Sequence, residues 1–245
     1  MSNNYAILNN VNHQALKIDT NFSAQYGNDV GSVVTFPSEF NNIQKEYPIF
    51  FQKDPDTNQY RSVILLGLQK DENLFLTQGK WQADYIPAIV IREPFLIGLQ
   101  RSKSGDNNNA AMVHIDLDSP RINTENGQSL FLELGGNSPY LNKIIQTLEL
   151  IEQGLRISDA MFATFTHYDL IEPVKLDVTL NNDQQYNIKG NYTINKEKLA
   201  KLKGEDLEQL NRRGFLQAAF LVMSSMDNMY KLINKKNELI AQKPS

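Results

Sequence analysis

Three histidines occur in the chain, and two of them sit where chemistry is conceivable. His114 and Asp116 are one residue apart, and His167 follows on a later element. Two imidazoles and a carboxylate can form the facial triad of a non-haem iron oxygenase, with coordination positions left open for cosubstrate and oxygen. The surrounding pattern argues for a plainer role. Val113, Ile115 and Leu117 alternate with His114, Asp116 and Asp118, which is the mark of a strand with one wet face. His167 falls near the end of a helix, not on a strand as that oxygenase class requires. The triad of His114, Asp116 and His167 is therefore the alternative reading. The main expectation is no catalytic residue, no bound metal and no cofactor.

Asp116-x-Asp118-Ser119-Pro120-Arg121 offers two carboxylates that a hard cation such as calcium could use. The string lacks the glycine and distal glutamate of an EF-hand loop. It reads better as a turn in which Asp118 or Ser119 bonds nearby backbone, with Arg121 in a salt bridge. No Gly-x-Ser-x-Gly elbow is present. Gly79-Lys80 lacks the upstream glycine of a phosphate-binding loop. Gly135-Gly136, just before a helix, reads as a turn. The absence of cysteine removes thiol catalysis, disulfides, thiolate zinc sites and iron–sulfur clusters together.

Trp81, Tyr85 and Phe95 concentrate aromatic surface beside Arg92. Exposed, such a group serves as a binding surface, because aromatics and arginine dominate interface hot spots. Buried, it is core. The residues carried forward as partner-binding candidates are Trp81, Tyr85, Arg92, Asp116, Asp118 and Arg121.

The elements that must position these residues follow from periodicity and punctuation. Short strands are expected at 5–8, 15–18, 49–52, 62–68 and 73–76, with a helix from Pro37 to about Glu46. Residues 81–93 are ambiguous, because a helical face through Trp81, Tyr85, Ala88 and Arg92 is interrupted by Pro87. Residues 95–99 and 111–117 form a strand pair joined by the polar loop 101–109. Ser138-Pro139 opens a long amphipathic helix to about residue 168, with Leu141, Ile144, Ile145, Leu148, Ile151 and Leu155 on one face. Gly154 is expected to bend or weaken its middle. A hairpin follows, in which Val174, Leu176, Val178 and Leu180 face one way and Lys175, Asp177 and Thr179 the other. A short helix at 196–202 precedes a last helix from about Glu205 to Leu239.

Strand pairs followed by helices, without a βαβ rhythm, imply an α+β fold: antiparallel hairpins or a sheet with two long helices of the C-terminal half packed on it. The chain of 245 residues is read as a single globular unit, with 125–137 as the best place for a subdivision. A net charge of −4 disfavours nucleic acid, which requires a basic patch. It also disfavours a polybasic membrane anchor. The longest apolar stretches fall far below the ~18 residues of a membrane span. The first residues lack a basic region and an apolar core, so no classical signal peptide is expected. The default expectation is a cytoplasmic protein.

An ordered set of strings carries a resemblance. They are Glu46-Tyr47-Pro48-Ile49-Phe50-Phe51, Leu65-Leu66-Gly67-Leu68, Glu72-Asn73-Leu74-Phe75 and Trp81 to Tyr85 with Pro87. Arg92-Glu93-Pro94-Phe95, Asp116-x-Asp118-Ser119-Pro120-Arg121, Leu170-Ile171-Glu172-Pro173 and Asn211-Arg212-Arg213-Gly214-Phe215 complete it. In order and spacing the set resembles the bacterial SapC family over residues 5–237. The resemblance implies a link to bacterial surface or uptake systems and association with another protein or a cell-surface component. It implies no catalytic residues. The reading that results is a non-enzymatic binding or accessory protein. The alternatives are the iron oxygenase above and an oligomeric scaffold built on the long helices.

Overall fold

The computed structural model describes residues 4–100 and 110–242. The loop expected over 101–109 and the first three residues lie outside this set. The chain divides into two compact units, one of residues 1–28 and 88–152 and one of residues 29–87 and 153–245. The stretch 125–137 lies inside the first. Among the described residues all paired strands are antiparallel, and helices follow them without βαβ alternation, so the fold is α+β.

In the first unit, Ala110–Asp116 is the centre of a three-stranded sheet between Tyr5–Ile7 and Phe95–Gln100. A second small sheet places Lys17–Ile18 between Ile122–Asn123 and Gln128–Ser129. Ile18, Phe95, Ile115 and Leu130 are fully buried and meet Leu141, Ile144 and Leu148 of the long helix. Each such side chain contributes about 1.5–3 kcal/mol by leaving water. The helix runs Pro139–His167, as the Ser138-Pro139 pair predicts. Ser138 Oγ accepts from the Leu141 amide at 3.1 Å, satisfying one of the free N–H groups of the first turn.

The second unit holds a five-stranded sheet in the order Ile171–Thr179, Gln185–Ile194, Ile49–Lys53, Tyr60–Leu65, Ser32–Val34. Phe51 of this sheet packs edge-on against Phe162 of the long helix at 5.1 Å, and Phe165 of that helix packs edge-on against Phe215 at 6.4 Å. The helix runs unbroken through Gly154. A Cβ there would stand 2.4 Å from Phe36 Cβ and 2.5 Å from Ser38 Oγ, so glycine permits a close approach of helix to chain.

Three expectations change. The single last helix is divided into Gly204–Arg212, Phe215–Ser225 and Asn228–Ala241. Gly214 has φ 74°, a left-handed position that ends the first segment. At the second break, Ser225 Oγ accepts from Ile49 N at 2.9 Å, and Asn228 donates to Gln44 O and Tyr47 O. Residues 73–76 are not a strand, because Asn73 folds back and its side chain accepts from Phe75 N at 2.9 Å. Only Leu76–Thr77 pairs, with Lys80–Trp81. Ambiguous 81–93 resolves into the end of that strand and a short helix, Ala88–Ile91, after Pro87.

Candidate functional site

Two turns of the first unit meet beside the central strand. Ile115 is fully buried, so its neighbours His114 and Asp116 lie on the other face. Asp116 ends the strand, and its Oδ1 accepts from Asp118 N at 3.1 Å. Ser119 Oγ accepts from Arg121 N at 3.3 Å, which continues the turn the aspartates begin. On the other side, Phe95 N donates to Arg92 O at 2.6 Å and closes a turn through Glu93 and Pro94. Asp116 N then donates to Pro94 O at 3.1 Å and clasps one turn to the other. Between them opens a polar recess of about 340 Å³, lined by Arg92, Glu93, Asp116, Asp118, Arg121 and Tyr26 among others.

Arg121 is the fixed point of the recess. It is only 4% exposed, a burial a guanidinium tolerates only when bonded. Its Nη1 donates to Asp19 O at 3.1 Å and Asn21 O at 2.8 Å, and its Nη2 to Asn28 Oδ1 at 3.0 Å. The Tyr26 ring lies 4.4 Å from the guanidinium carbon, a cation–π contact. Tyr26 is itself held, because its hydroxyl donates to Asp19 Oδ2 at 2.6 Å. That bond is the main cause that lowers the Asp19 carboxyl and raises the Tyr26 hydroxyl.

The Nε groups behave differently. Arg121 Nε is buried and has no hydrogen-bond acceptor among the described residues; the Glu93 carboxylate stands off at 3.8 Å. Arg92 donates from Nη1 to Phe95 O at 2.9 Å, yet its Nε is buried and equally without an acceptor. Glu93 is held above the usual carboxyl range. Burial is the largest cause, and the charges of Arg121 and then Arg92 offset it only in part. The lining therefore sets two arginines against the carboxyl groups of Glu93, Asp116 and Asp118.

Arg92, Asp116, Asp118 and Arg121 are thus brought together. Trp81 and Tyr85 are not part of this recess; they belong to the second unit. Trp81 is 9% exposed, and its indole N–H donates to Tyr47 Oη at 2.7 Å. Tyr47 donates to Tyr85 O at 2.6 Å, and the Tyr85 hydroxyl donates to Glu39 Oε2 at 2.9 Å. Glu39 Oε1 accepts from Thr35 Oγ1 at 2.8 Å, and Glu46 accepts from the amides of Asp84 and Tyr85. Burial raises both tyrosine hydroxyls above their ordinary range. This is an internal network that pins the 82–87 segment.

The iron triad is not assembled. Among the described residues no three His, Asp or Glu side chains gather to hold a metal ion. His114 and Asp116 belong to the first unit and His167 to the second. The His114 imidazole lies over Gly98, where a Cβ would come within 2.2 Å of the ring, and its Nδ1 is 3.2 Å from Met112 O. Asp116 Oδ1 is spent on its turn, and His167 stacks edge-on against Tyr168 at 4.8 Å. The residues missing from the sequence-based site list are Glu93 and Tyr26. Glu93 had a signal, since it stands between Arg92 and Pro94 in a string that carries the family resemblance. Tyr26 had none.

Fold and site together define an α+β protein of antiparallel sheets with a polar recess at a clasp of two turns. Among its described residues no helix is long and apolar enough to cross a membrane. The SapC family model matches residues 8–232, and the chain belongs to the SapC family. No curated protein and no solved structure matches it.

Proposed function

We propose that this SapC family member acts by recognition, as a non-enzymatic binding or accessory protein, with the recess of the first unit as its contact surface. The observation that carries the reading is the clasp itself. Two strings distant in sequence, Arg92-Glu93-Pro94 and Asp116 to Arg121, are joined by the Asp116–Pro94 bond and present two anchored arginines. Side chains already held in place favour binding, because little side-chain freedom is lost on contact. The family resemblance supports a partner in bacterial surface or uptake systems, either a protein or a cell-surface component.

The test uses a photo-crosslinking residue placed at Asp118, on the rim, and in a second protein at exposed Lys189 of the other unit. With extract of cells that make the protein, adducts are expected from position 118 alone. They should disappear when Arg92→Ala is added. Identical adducts from both positions would remove the recess as contact surface. Consumption of a small molecule in the extract, in proportion to added protein, would instead identify an enzyme.

A second reading, an oligomeric scaffold, is favoured by Phe220. It is 55% exposed beside an apolar groove lined by Leu207, Leu216 and Met223. Light scattering decides it: a monomer mass that stays constant with rising concentration excludes the scaffold.

A further inference from the structure

We propose that two copies of this chain pair edge to edge through the strand Ile171–Thr179, antiparallel and in register about Leu176. This goes beyond the recess reading, does not rest on it, and uses another surface than the Phe220 groove. The strand ends the five-stranded sheet, and among the described residues no strand pairs on its outer side. At one end Leu180 N donates to Gln184 O at 2.9 Å, and at the other Leu170 O accepts from Asn195 N at 2.8 Å. Peptide groups alternate in direction along a strand, so the even-numbered residues serve the neighbouring strand. Ile171, Lys175, Asp177 and Thr179 then turn their N–H and C=O groups outward, and Pro173 its C=O alone. The register shift between Val174 and Leu176 keeps this parity, because its extra residue lies on the strand Gln185–Ile194. The opposite edge of the sheet, Ser32–Val34, is only three residues long and offers little to a partner.

Charge selects the second copy as partner. Proline and charged side chains are the usual means of blocking an open edge. Here they block every register but one. Lys175, Asp177 and Thr179 are exposed on one face, while Val174 and Leu176 are half-buried and Val178 is buried on the other. Outward groups must meet outward groups, so odd residues pair with odd. With Leu176 opposite Leu176 of the second copy, Lys175 meets Asp177, Asp177 meets Lys175, and Val174 meets Val178. Each Lys175–Asp177 pair exchanges two backbone hydrogen bonds, and Thr179 N–H reaches Pro173 O. The missing N–H of Pro173 ends the ladder there. The next register on either side sets Lys175 against Lys175 or Asp177 against Asp177, and like charges directly opposite repel. Asn187 Nδ2 donates to Asp177 Oδ1 and holds that carboxylate on the exposed face. A strand with a lysine and an aspartate two apart is complementary to its own antiparallel copy, which makes the contact isologous.

A contact of one strand pair is small, so a Kd on the order of tens of micromolar is expected. The crosslinking at Lys189 above, run at nanomolar protein, therefore reads the single chain. Light scattering from about 1 to 500 μM should show the mass rise toward that of two chains. Lys175→Asp and Asp177→Lys each set like charges opposite, and each alone should weaken dimerisation by about tenfold or more. Mixed one to one, the two variants meet with opposite charges at every pair and should recover the wild-type affinity. The register is read with single cysteines, since the chain has none of its own. Leu176→Cys should oxidise to a disulfide-linked dimer, because the two copies of this residue face each other at about 4.5 Å between Cα atoms. Thr179→Cys should not, because the two copies of that residue lie far apart along the ladder.

A mass that stays at one chain up to about 500 μM overturns the pairing and the scaffold together, and leaves the recess reading untouched. Dimers that Phe220→Asp disperses and the two charge variants do not assign the contact to the groove: the scaffold stands and the strand pairing falls. Equal disulfide yields from positions 176 and 179 overturn the pairing as well. So does a mixture of the charge variants that binds no tighter than either alone, with both folded by circular dichroism.

Discussion

Two polar clusters in this chain, one in each unit, end in different states. The network of the second unit is closed: Trp81, Tyr47, Tyr85 and Glu39 pass hydrogen bonds along a line whose Tyr47 and Glu39 members are buried. The recess of the first unit is open. Arg121 is as buried as Glu39, yet its Nε and that of Arg92 have no acceptor among the described residues. A completed buried network specifies one conformation, because any displaced member leaves a partner unpaired. An incomplete one leaves buried donors unpaired, at a cost that the rest of the fold must offset.

The sharpest test of the closed state is Glu39→Ala. It strands the Thr35 hydroxyl, the Phe36 amide and the Tyr85 hydroxyl, all bonded to that carboxylate. The expected loss is about 3 kcal/mol, since each stranded buried donor costs roughly 1–3 kcal/mol and part of this is relieved by water. Urea denaturation followed by Trp81 fluorescence reads it directly, because Trp81 is the single tryptophan and its indole is part of the network. A loss well under 1 kcal/mol would mean that the network is loose and that the contrast fails.

Tyr47→Phe is the next step down. It removes one hydroxyl that accepts from Trp81 and donates to Tyr85 O, at an expected cost of about 1–2 kcal/mol. Arg92→Gln, in the open cluster, removes a partly exposed side chain. It should cost less than about 1 kcal/mol in the same denaturation assay, read by circular dichroism. If Arg92→Gln proved as damaging as Tyr47→Phe, the recess would be structural too.

How much of this was readable beforehand follows from what each signal depends on. The hairpin of residues 171–194 and the helix opening at Ser138-Pro139 were legible, because alternation and capping are local. So was the pairing of residues 95–99 with 111–117. The break at Gly214 was not, since the apolar run from Phe215 onward continues a helical pattern straight through it. Four recess residues carry a signal in the sequence, but for separate reasons. Arg92 was singled out as the cation beside aromatics, and Asp116 to Arg121 as a turn. That the two strings share one recess depends on the Asp116–Pro94 bond, which is tertiary. Trp81 and Tyr85 were grouped with Arg92 by nearness in sequence; the structure places them in another unit, where their polar atoms are used internally. The His114–Asp116–His167 alternative failed for the same reason, because composition supplies ligand types but not convergence.

The smallest effect bears most directly on whether the recess is open, and it concerns Glu93. Its carboxyl is raised in the folded protein, chiefly by burial, with Arg121 and Arg92 offsetting part of that. A carboxyl raised on folding favours the native state fully below its unfolded value, near about 4.3. That contribution is lost as pH rises through the folded value. Glu93→Gln keeps the neutral shape and removes the charge. The variant should therefore match wild type in acid and become the more stable protein as pH rises toward neutral. Urea unfolding at a series of pH values checks the sign. Were wild type more stable at neutral pH, Glu93 and Arg121 would form an ordinary stabilising ion pair. Arg121 Nε would then already have its partner, and the recess would be as complete as the network around Tyr47.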